Sequence, residues 1–153
     1  MQSQALRNSS QGSVCHKGVY FSMRIGIIGT SAIAGHFVEG ARLAGGIDIA
    51  AVYSRSLETG EAFAREWKIP IVYTSLDALA ESTAVDAAYI ASPNAFQYSK
   101  SKRMLAGGKH VLCEKPIVTA PEQVDDFCAF EEEKGIVYME AIMIRSLPAR
   151  ELL

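Results

Sequence analysis

Five short segments of this 153-residue chain carry residue types that can hold or turn over a phosphate-bearing ligand. The first is Gly29-Thr30-Ser31-Ala32-Ile33-Ala34, which follows the β-branched run Ile25, Ile27, Ile28 and opens a helical pattern. A strand that runs into a glycine turn and a helix N-terminus aims backbone N–H groups and the positive helix end at one spot, which is a cradle for phosphate. The register matches the dinucleotide fingerprint G-x-G-x-x-G/A, with Ser31 in place of the second glycine. That glycine ordinarily lets a pyrophosphate come close to the backbone. Ser31 adds a Cβ there, but also a hydroxyl that can donate to a phosphate oxygen. Ala34, in the third slot, is small enough for close helix–strand packing. Taken alone, the segment also fits any strand–turn–helix of an α/β domain.

The second segment is Tyr53-Ser54-Arg55, at the end of the next strand pattern. An acid at that place would accept from the 2′-hydroxyl of an adenosine ribose, whereas an arginine accommodates a 2′-phosphate. No acid stands there, since Asp48 is at the other end of the strand. Ser54 and Arg55 are therefore expected to contact NADP, with NAD as the alternative; the competing reading is a solvated arginine on a loop. The third segment, Ser92-Pro93-Asn94, breaks an apolar run, and Asn94 either bonds a nicotinamide ribose or forms a capping box with Gln97. The fourth is Glu114-Lys115-Pro116. An ammonium at Lys115 can steer an anionic cofactor or polarise a substrate hydroxyl, and the Lys115–Pro116 bond is a candidate for the cis form. The fifth is Glu140, either a substrate-side polar group or a strand-end charge. His36 reads as a surface or half-buried histidine, His110 as a packed core histidine, and Glu131–Glu133 as a solvated helix face.

These segments gain meaning from the elements between them. Strands are predicted near 23–28, 48–53, 71–73, 86–91, 109–113 and 136–139. Helices are predicted over 32–43, 57–67, a short stretch after Ser75, 95–106, and from the Thr119 cap to about 134. On the first helix Ile33, Phe37, Ala41 and Ala44 share a face at helical spacing. Gly45-Gly46 closes it, Ser56 and Ser75 are N-cap candidates, and Thr119-x-x-Glu122 reads as a capping box. Alternation of strand and helix along the whole chain predicts an α/β fold: a doubly wound parallel sheet of Rossmann type, order 3-2-1-4-5-6, with helices on both faces. Ligands bind such sheets beyond the carboxyl ends of the strands. All five segments fall at such an end.

Composition narrows the function classes. Hydrophobic residues make up 49% and charged residues 21%, with a net charge of −2, so a buried core is within reach and no basic footprint for nucleic acid exists. Cys15, Cys113 and Cys128 are scattered without a C-x-x-C spacing, which fits reduced thiols in a cytoplasm and offers neither a disulfide framework nor a metal site. No apolar run approaches the roughly 20 residues that span a bilayer. Residues 1–22 contain no acid and lack the apolar stretch of a secretory signal, so they are expected to form a flexible extension or to precede a natural start at Met23.

MRIGIIGTSAIA, AVYSRS, DAAYIASPN, GGKHVLCEKP and MEAIMIRSLP together resemble the nucleotide-binding half of the glucose–fructose oxidoreductase, inositol dehydrogenase and rhizopine-catabolism (Gfo/Idh/MocA) family. The resemblance runs from about Met23 to the C-terminus. It implies NAD(P)-dependent oxidation of a CH–OH group in a sugar, cyclitol or related diol. Lys115 of the E-K-P motif would be the catalytic residue, with Glu114 beside it near the nicotinamide. Gly29, Thr30, Ser31, Ala32 and Ile33 would line the pyrophosphate, and Ser92, Pro93 and Asn94 the nicotinamide side. The family's P-N-x-x-H reads Pro93-Asn94-Ala95-Phe96-Gln97 here, so a residue that cannot titrate stands at the histidine position. The family continues into a second domain with the usual catalytic histidine and the oligomer interface. Residues 23–140 are thus expected to be the dinucleotide-binding domain and 141–153 the truncated start of that second domain. A sugar-like substrate is expected in the full-length enzyme, with no nucleic-acid or membrane partner, and homo-oligomers only with the missing domain. The chain alone is expected to turn over little or nothing. A non-catalytic sensing module and a structural subunit that has lost its ligand are the competing classes.

Overall fold

The computed structural model describes residues 22–116 and 120–142. Strands and helices alternate: β1 (Met23–Ile28), α1 (Ala32–Ala44), β2 (Ile47–Tyr53), α2 (Leu57–Trp67), β3 (Ile71–Tyr73), α3 (Leu76–Glu81) and β4 (Ala87–Ile90). A 3-10 turn, Asn94–Phe96, then leads into α4 (Gln97–Ala106), β5 (His110–Glu114), α5 (Glu122–Lys134) and β6 (Tyr138–Ala141). The strands form one parallel sheet in the order β3-β2-β1-β4-β5-β6, as the alternating pattern predicts.

The sheet separates two apolar compartments. Along β4, Ala87 and Tyr89 face the side that carries Val38 of α1 and Phe63 of α2. Ala88 and Ile90 face the side that carries Leu79 of α3, Met104 and Leu105 of α4 and Phe127 of α5. A strand buried on both faces needs apolar residues at every position, which is why DAAYIA reads as a continuous run. Removing a side chain such as that of Leu105, which is wholly buried, costs about 2–5 kcal/mol in such a core.

Serine starts three of the helices. The Oγ atoms of Ser31, Ser56 and Ser75 accept from the N–H groups of Ala34, Thr59 and Ala78 at 3.4, 3.4 and 3.3 Å. Each cap satisfies a backbone donor that the helix leaves open and stabilises by about 1 kcal/mol. Helix α4 is further tied on both flanks. Arg103 bonds Asp77 and, at 2.7 Å, Glu81 of α3. Lys102 meets Asp126 of α5 at 2.7 Å. At the amino edge of the sheet, Arg24 of β1 binds Asp86 before β4 through Nη2 at 2.6 Å, Nε at 3.0 Å and its backbone N–H at 3.0 Å. These bonds hold the Asp86 carboxyl down at about 2.

Several local expectations are corrected. On α1 the buried residues are Ala34, Gly35, Val38 and Ala41, while Ile33 and Ala44 are exposed and Phe37 is half-buried. The helix packs through its small residues: a Cβ on Gly35 would lie 2.7 Å from Trp67 Cζ2. Strand β6 starts two residues later than expected, and β5 one residue later. His110 is not a core histidine but half-buried, its Nδ1 accepting from the Val137 N–H at 3.0 Å. Glu131 is not simply solvated, since its Oε1 accepts from the Tyr138 N–H at 2.7 Å. Helix α5 begins at Glu122 after Pro121 with no side-chain cap, and Thr119 of the expected capping box lies outside the described residues. Residues 1–21 of the expected extension 1–22 and residues 143–153 also lie outside them, whereas Ala141, expected to open the next domain, is the last residue of β6. Among the described residues no helix is long and apolar enough to cross a membrane.

Candidate cofactor site

Strand β1 has β2 on one side and β4 on the other, so the chain order reverses at its carboxyl end. A crevice opens at such a point because the connections on the two sides leave in opposite directions. Here it is a cleft of about 380 Å³. From β1 come Gly29, Thr30 and Ser31, from β2 Ser54 and Arg55, and from β4 Ser92 and Pro93. Tyr53, Ser56, Thr59, Ala91 and Lys100 complete it.

The first wall is built around Gly29. Its φ is +121°, and its N–H donates to the Tyr53 carbonyl at 3.2 Å. A Cβ here would stand 2.5 Å from the Ala91 carbonyl oxygen, so β4 closes directly over the turn. Ser31 then caps α1 with its oxygen and keeps its hydroxyl proton for a further acceptor. Ala32 and Ile33 form the first helical positions behind it, exposed and not part of the lining.

The second wall is Ser54 and Arg55. Ser54 is buried, bonded through its N–H to Tyr73 at 3.0 Å, with its Oγ toward the Ser56 N–H at 3.4 Å. The Arg55 guanidinium lies 5.7 Å from the centre of the Phe96 ring. Lys100 Nζ lies 5.7 Å from the centre of the same ring and 5.8 Å from that of Tyr53. Burial first, and the Arg55 charge second, push the Lys100 ammonium below the ordinary lysine range.

The third wall is Ser92 and Pro93. The Gln97 side chain donates through Nε2 to the Ser92 carbonyl at 3.1 Å and is buried. The Asn94–Gln97 capping box does not form: Asn94 opens the 3-10 turn, and Pro93 and Phe96 at the cap positions make no side-chain cap bond. The Ser92 Oγ is buried without a hydrogen-bond partner. A turn with no room for a Cβ at Gly29, a hydroxyl left without a partner and two cations fit a phosphate-bearing dinucleotide in shape and in charge.

Glu114 and Lys115 stand on the same rim, since β5 runs parallel to β1 and β4, but they do not line this cleft, and neither does Asn94. Lys115 is exposed and its bond to Pro116 is cis. The Glu114 carboxylate accepts from the Tyr89 hydroxyl at 2.6 Å. Glu140 lies within β6, opposite Cys113. The residue that sequence reasoning missed is Lys100. Its only sequence signal is the spacing Phe96-x-x-x-Lys100, which puts ring and ammonium on one face just past the end of β4.

Residues 23–142 match the family described as "Oxidoreductase family, NAD-binding Rossmann fold" (GFO_IDH_MocA). The chain is 41% identical over 131 residues to the uncharacterized oxidoreductase YgjR of Escherichia coli, covering 86% of this chain and 40% of that protein. It is 36% identical over 126 residues to scyllo-inositol 2-dehydrogenase (NADP(+)) IolU of Bacillus subtilis, covering 82% of this chain and 38% of that one. Among solved structures it is similar to KijD10, a 3-ketoreductase from Actinomadura kijaniata in complex with NADP and TDP-benzene. The TM-score is 0.80 at 28% identity, over 85% of this chain and 40% of that one. The chain thus spans about 40% of the length of these relatives. By its sheet order, its glycine turn and this match, the chain belongs to the Gfo/Idh/MocA family of NAD(P)-dependent oxidoreductases.

Proposed function

We propose that this chain is the nucleotide-binding half of an NADP-dependent oxidoreductase that interconverts a secondary alcohol and a ketone on a sugar, cyclitol or related diol. The observation that carries the reading is the cleft at the chain-order reversal, lined by both the glycine turn and Ser54-Arg55. Gly29, Thr30 and Ser31, with the α1 N-terminus at Ala32 and Ile33, take the pyrophosphate. Ser54 and Arg55 take the phosphate on the adenosine ribose. Ser92, Pro93 and Asn94 border the nicotinamide end. Lys115, beside Glu114 on the same rim, orients the reacting hydroxyl and stabilises its oxygen as the proton leaves.

Hydride chemistry is supplied by the cofactor when bound. What remains for protein is binding, orientation and a proton acceptor, and the acceptor is assigned to a second domain of the relatives' length. The residues after β6 are read as leading into that domain, which would also carry the oligomer contacts. The cysteines Cys113 and Cys128, free among the described residues, agree with a cytoplasmic protein. A dinucleotide-binding module without turnover is the second reading, favoured by the place of Lys115 outside the cleft.

Titration of the full chain with NADPH and NADH by calorimetry tests this. Binding of NADPH in preference to NADH is expected, with Arg55→Ala weakening NADPH by about 10-fold or more, the scale of one charge-assisted hydrogen bond. Absence of binding to either cofactor would refute the reading. Unchanged preference in Arg55→Ala would remove Arg55 from it.

A further inference from the structure

We propose that Lys100 is the second cation of the adenosine-phosphate subsite, so that Arg55 from the end of β2 and Lys100 from α4 close on one phosphomonoester. The assignment rests on the dinucleotide reading above and deepens it. Both side chains line the same cleft, and both lie 5.7 Å from the Phe96 ring. They come from elements that meet only through the fold: α4 follows β4, whereas Arg55 follows β2.

Charge makes the juxtaposition informative. The neighbouring cations on α4 are already neutralised, Lys102 by Asp126 and Arg103 by Asp77 and Glu81. Among the described residues, neither Arg55 nor Lys100 has a carboxylate within ion-pair distance, and the cleft lining contains no Asp or Glu. Two like charges gathered in a half-buried cleft repel, and the aromatic faces of Phe96 and Tyr53 offset only part of that cost. A dianionic phosphate removes the repulsion. The planar guanidinium takes two of its oxygens side by side, and the ammonium takes the third as a point charge. A ribose hydroxyl offers neither charge, so Lys100 contributes to the phosphorylated cofactor and not to its unphosphorylated counterpart. The lysine is then a specificity-determining residue, one helix away from the loop that ordinarily reads this phosphate.

Two small probes isolate the subsite from the nicotinamide: adenosine 2′,5′-bisphosphate, which carries the phosphate in question, and 5′-AMP, which lacks it. In calorimetric titrations of the full chain, Lys100→Met is expected to weaken the bisphosphate by about 10- to 100-fold and to leave 5′-AMP unchanged. Lys100→Arg, which keeps the charge, is expected to retain most of the affinity. A parallel readout needs no variant. Adenosine 2′,5′-bisphosphate should protect Lys100 of the unsubstituted protein from acetylation, read by mass spectrometry, and 5′-AMP should not. Equal weakening of both probes, unchanged affinity for both, or equal protection by both overturns the assignment while the dinucleotide reading stands. Failure of the unsubstituted chain to bind either probe, NADPH or NADH overturns both.

Discussion

At Gly29 two separate constraints fall on one atom that is absent. The backbone turns at φ +121°, and a methyl group would press on the Ala91 carbonyl oxygen at 2.5 Å. Neither can relax without moving the turn off β4. Gly29→Ala is expected to cost at least about 2 kcal/mol and to abolish cofactor binding. Gly40 provides the contrast: it lies inside α1 with open space around it, so Gly40→Ala is expected to add about 0.5–1 kcal/mol. Urea denaturation followed by circular dichroism checks both, and equal signs would refute the account of the turn. Gly29, Ser54 and Arg55 were legible in the sequence because each stands at a fixed offset from a strand end. Lys100 was not, because Lys100, Lys102 and Arg103 look alike in QYSKSKRMLA. Only the phase and placement of α4 send two of them to acids and the third back over the cleft. Gln97 misled for a related reason. Asn94-x-x-Gln97 has the spacing of a capping box, yet a 3-10 turn intervenes and the amide reaches Ser92 instead.

Among the elements, β4 and β5 are joined by a bond that no spacing announces. Tyr89, stacked on Phe37 of α1 with ring centres 3.8 Å apart, donates to the Glu114 carboxylate beside the E-K-P turn. Burial first, and Glu114 second, push the Tyr89 phenol up; burial likewise pushes Tyr138 up, on the other side of the sheet. The folded state therefore favours both phenols in their protonated form. Their contribution is complete below the ordinary value of 10.0 and is lost as pH rises beyond it, because the unfolded chain then releases protons that the folded chain keeps. Alkaline titration is expected to show their tyrosinate absorbance appearing together with loss of circular dichroism. In Tyr89→Phe, about 0.5–1.5 kcal/mol of stability at neutral pH is expected to go, with the ring stack kept. Early titration of both phenols in the folded protein would contradict this. Strand and helix order came straight from periodicity, whereas faces and ends did not. The α1 stripe was misplaced because Ile33 and Phe37 outweigh Ala34 and Gly35 in any apolar pattern, although close packing against Trp67 selects the small residues.

The whole molecule divides its labour between the two edges of one sheet. Residues assigned to the cofactor gather at the carboxyl edge, while Arg24 and Asp86 tie β1 to β4 at the amino edge. Asp86 sits at about 2 against an ordinary 3.8, so its contribution is present above 3.8 and disappears as pH falls toward 2. Asp86→Asn is expected to lower the melting temperature modestly at neutral pH, since both side chains are well exposed and screened by salt. It should also flatten the decline that the unsubstituted protein shows between pH 4 and 2, with NADPH affinity unaltered. A parallel loss of affinity would mean that the two edges are coupled. The order β3-β2-β1-β4-β5-β6 also fixes when a site can exist during synthesis. Arg24 precedes its partner Asp86 by 62 residues, so β1 and β2 leave the ribosome long before the strand that covers the other flank of β1. In that interval the glycine turn has one wall and β1 has an open ladder of donors and acceptors. A nascent chain acquires its place for a nucleotide only once β4 has been made, and until then carries an unprotected edge that neighbouring chains can pair with.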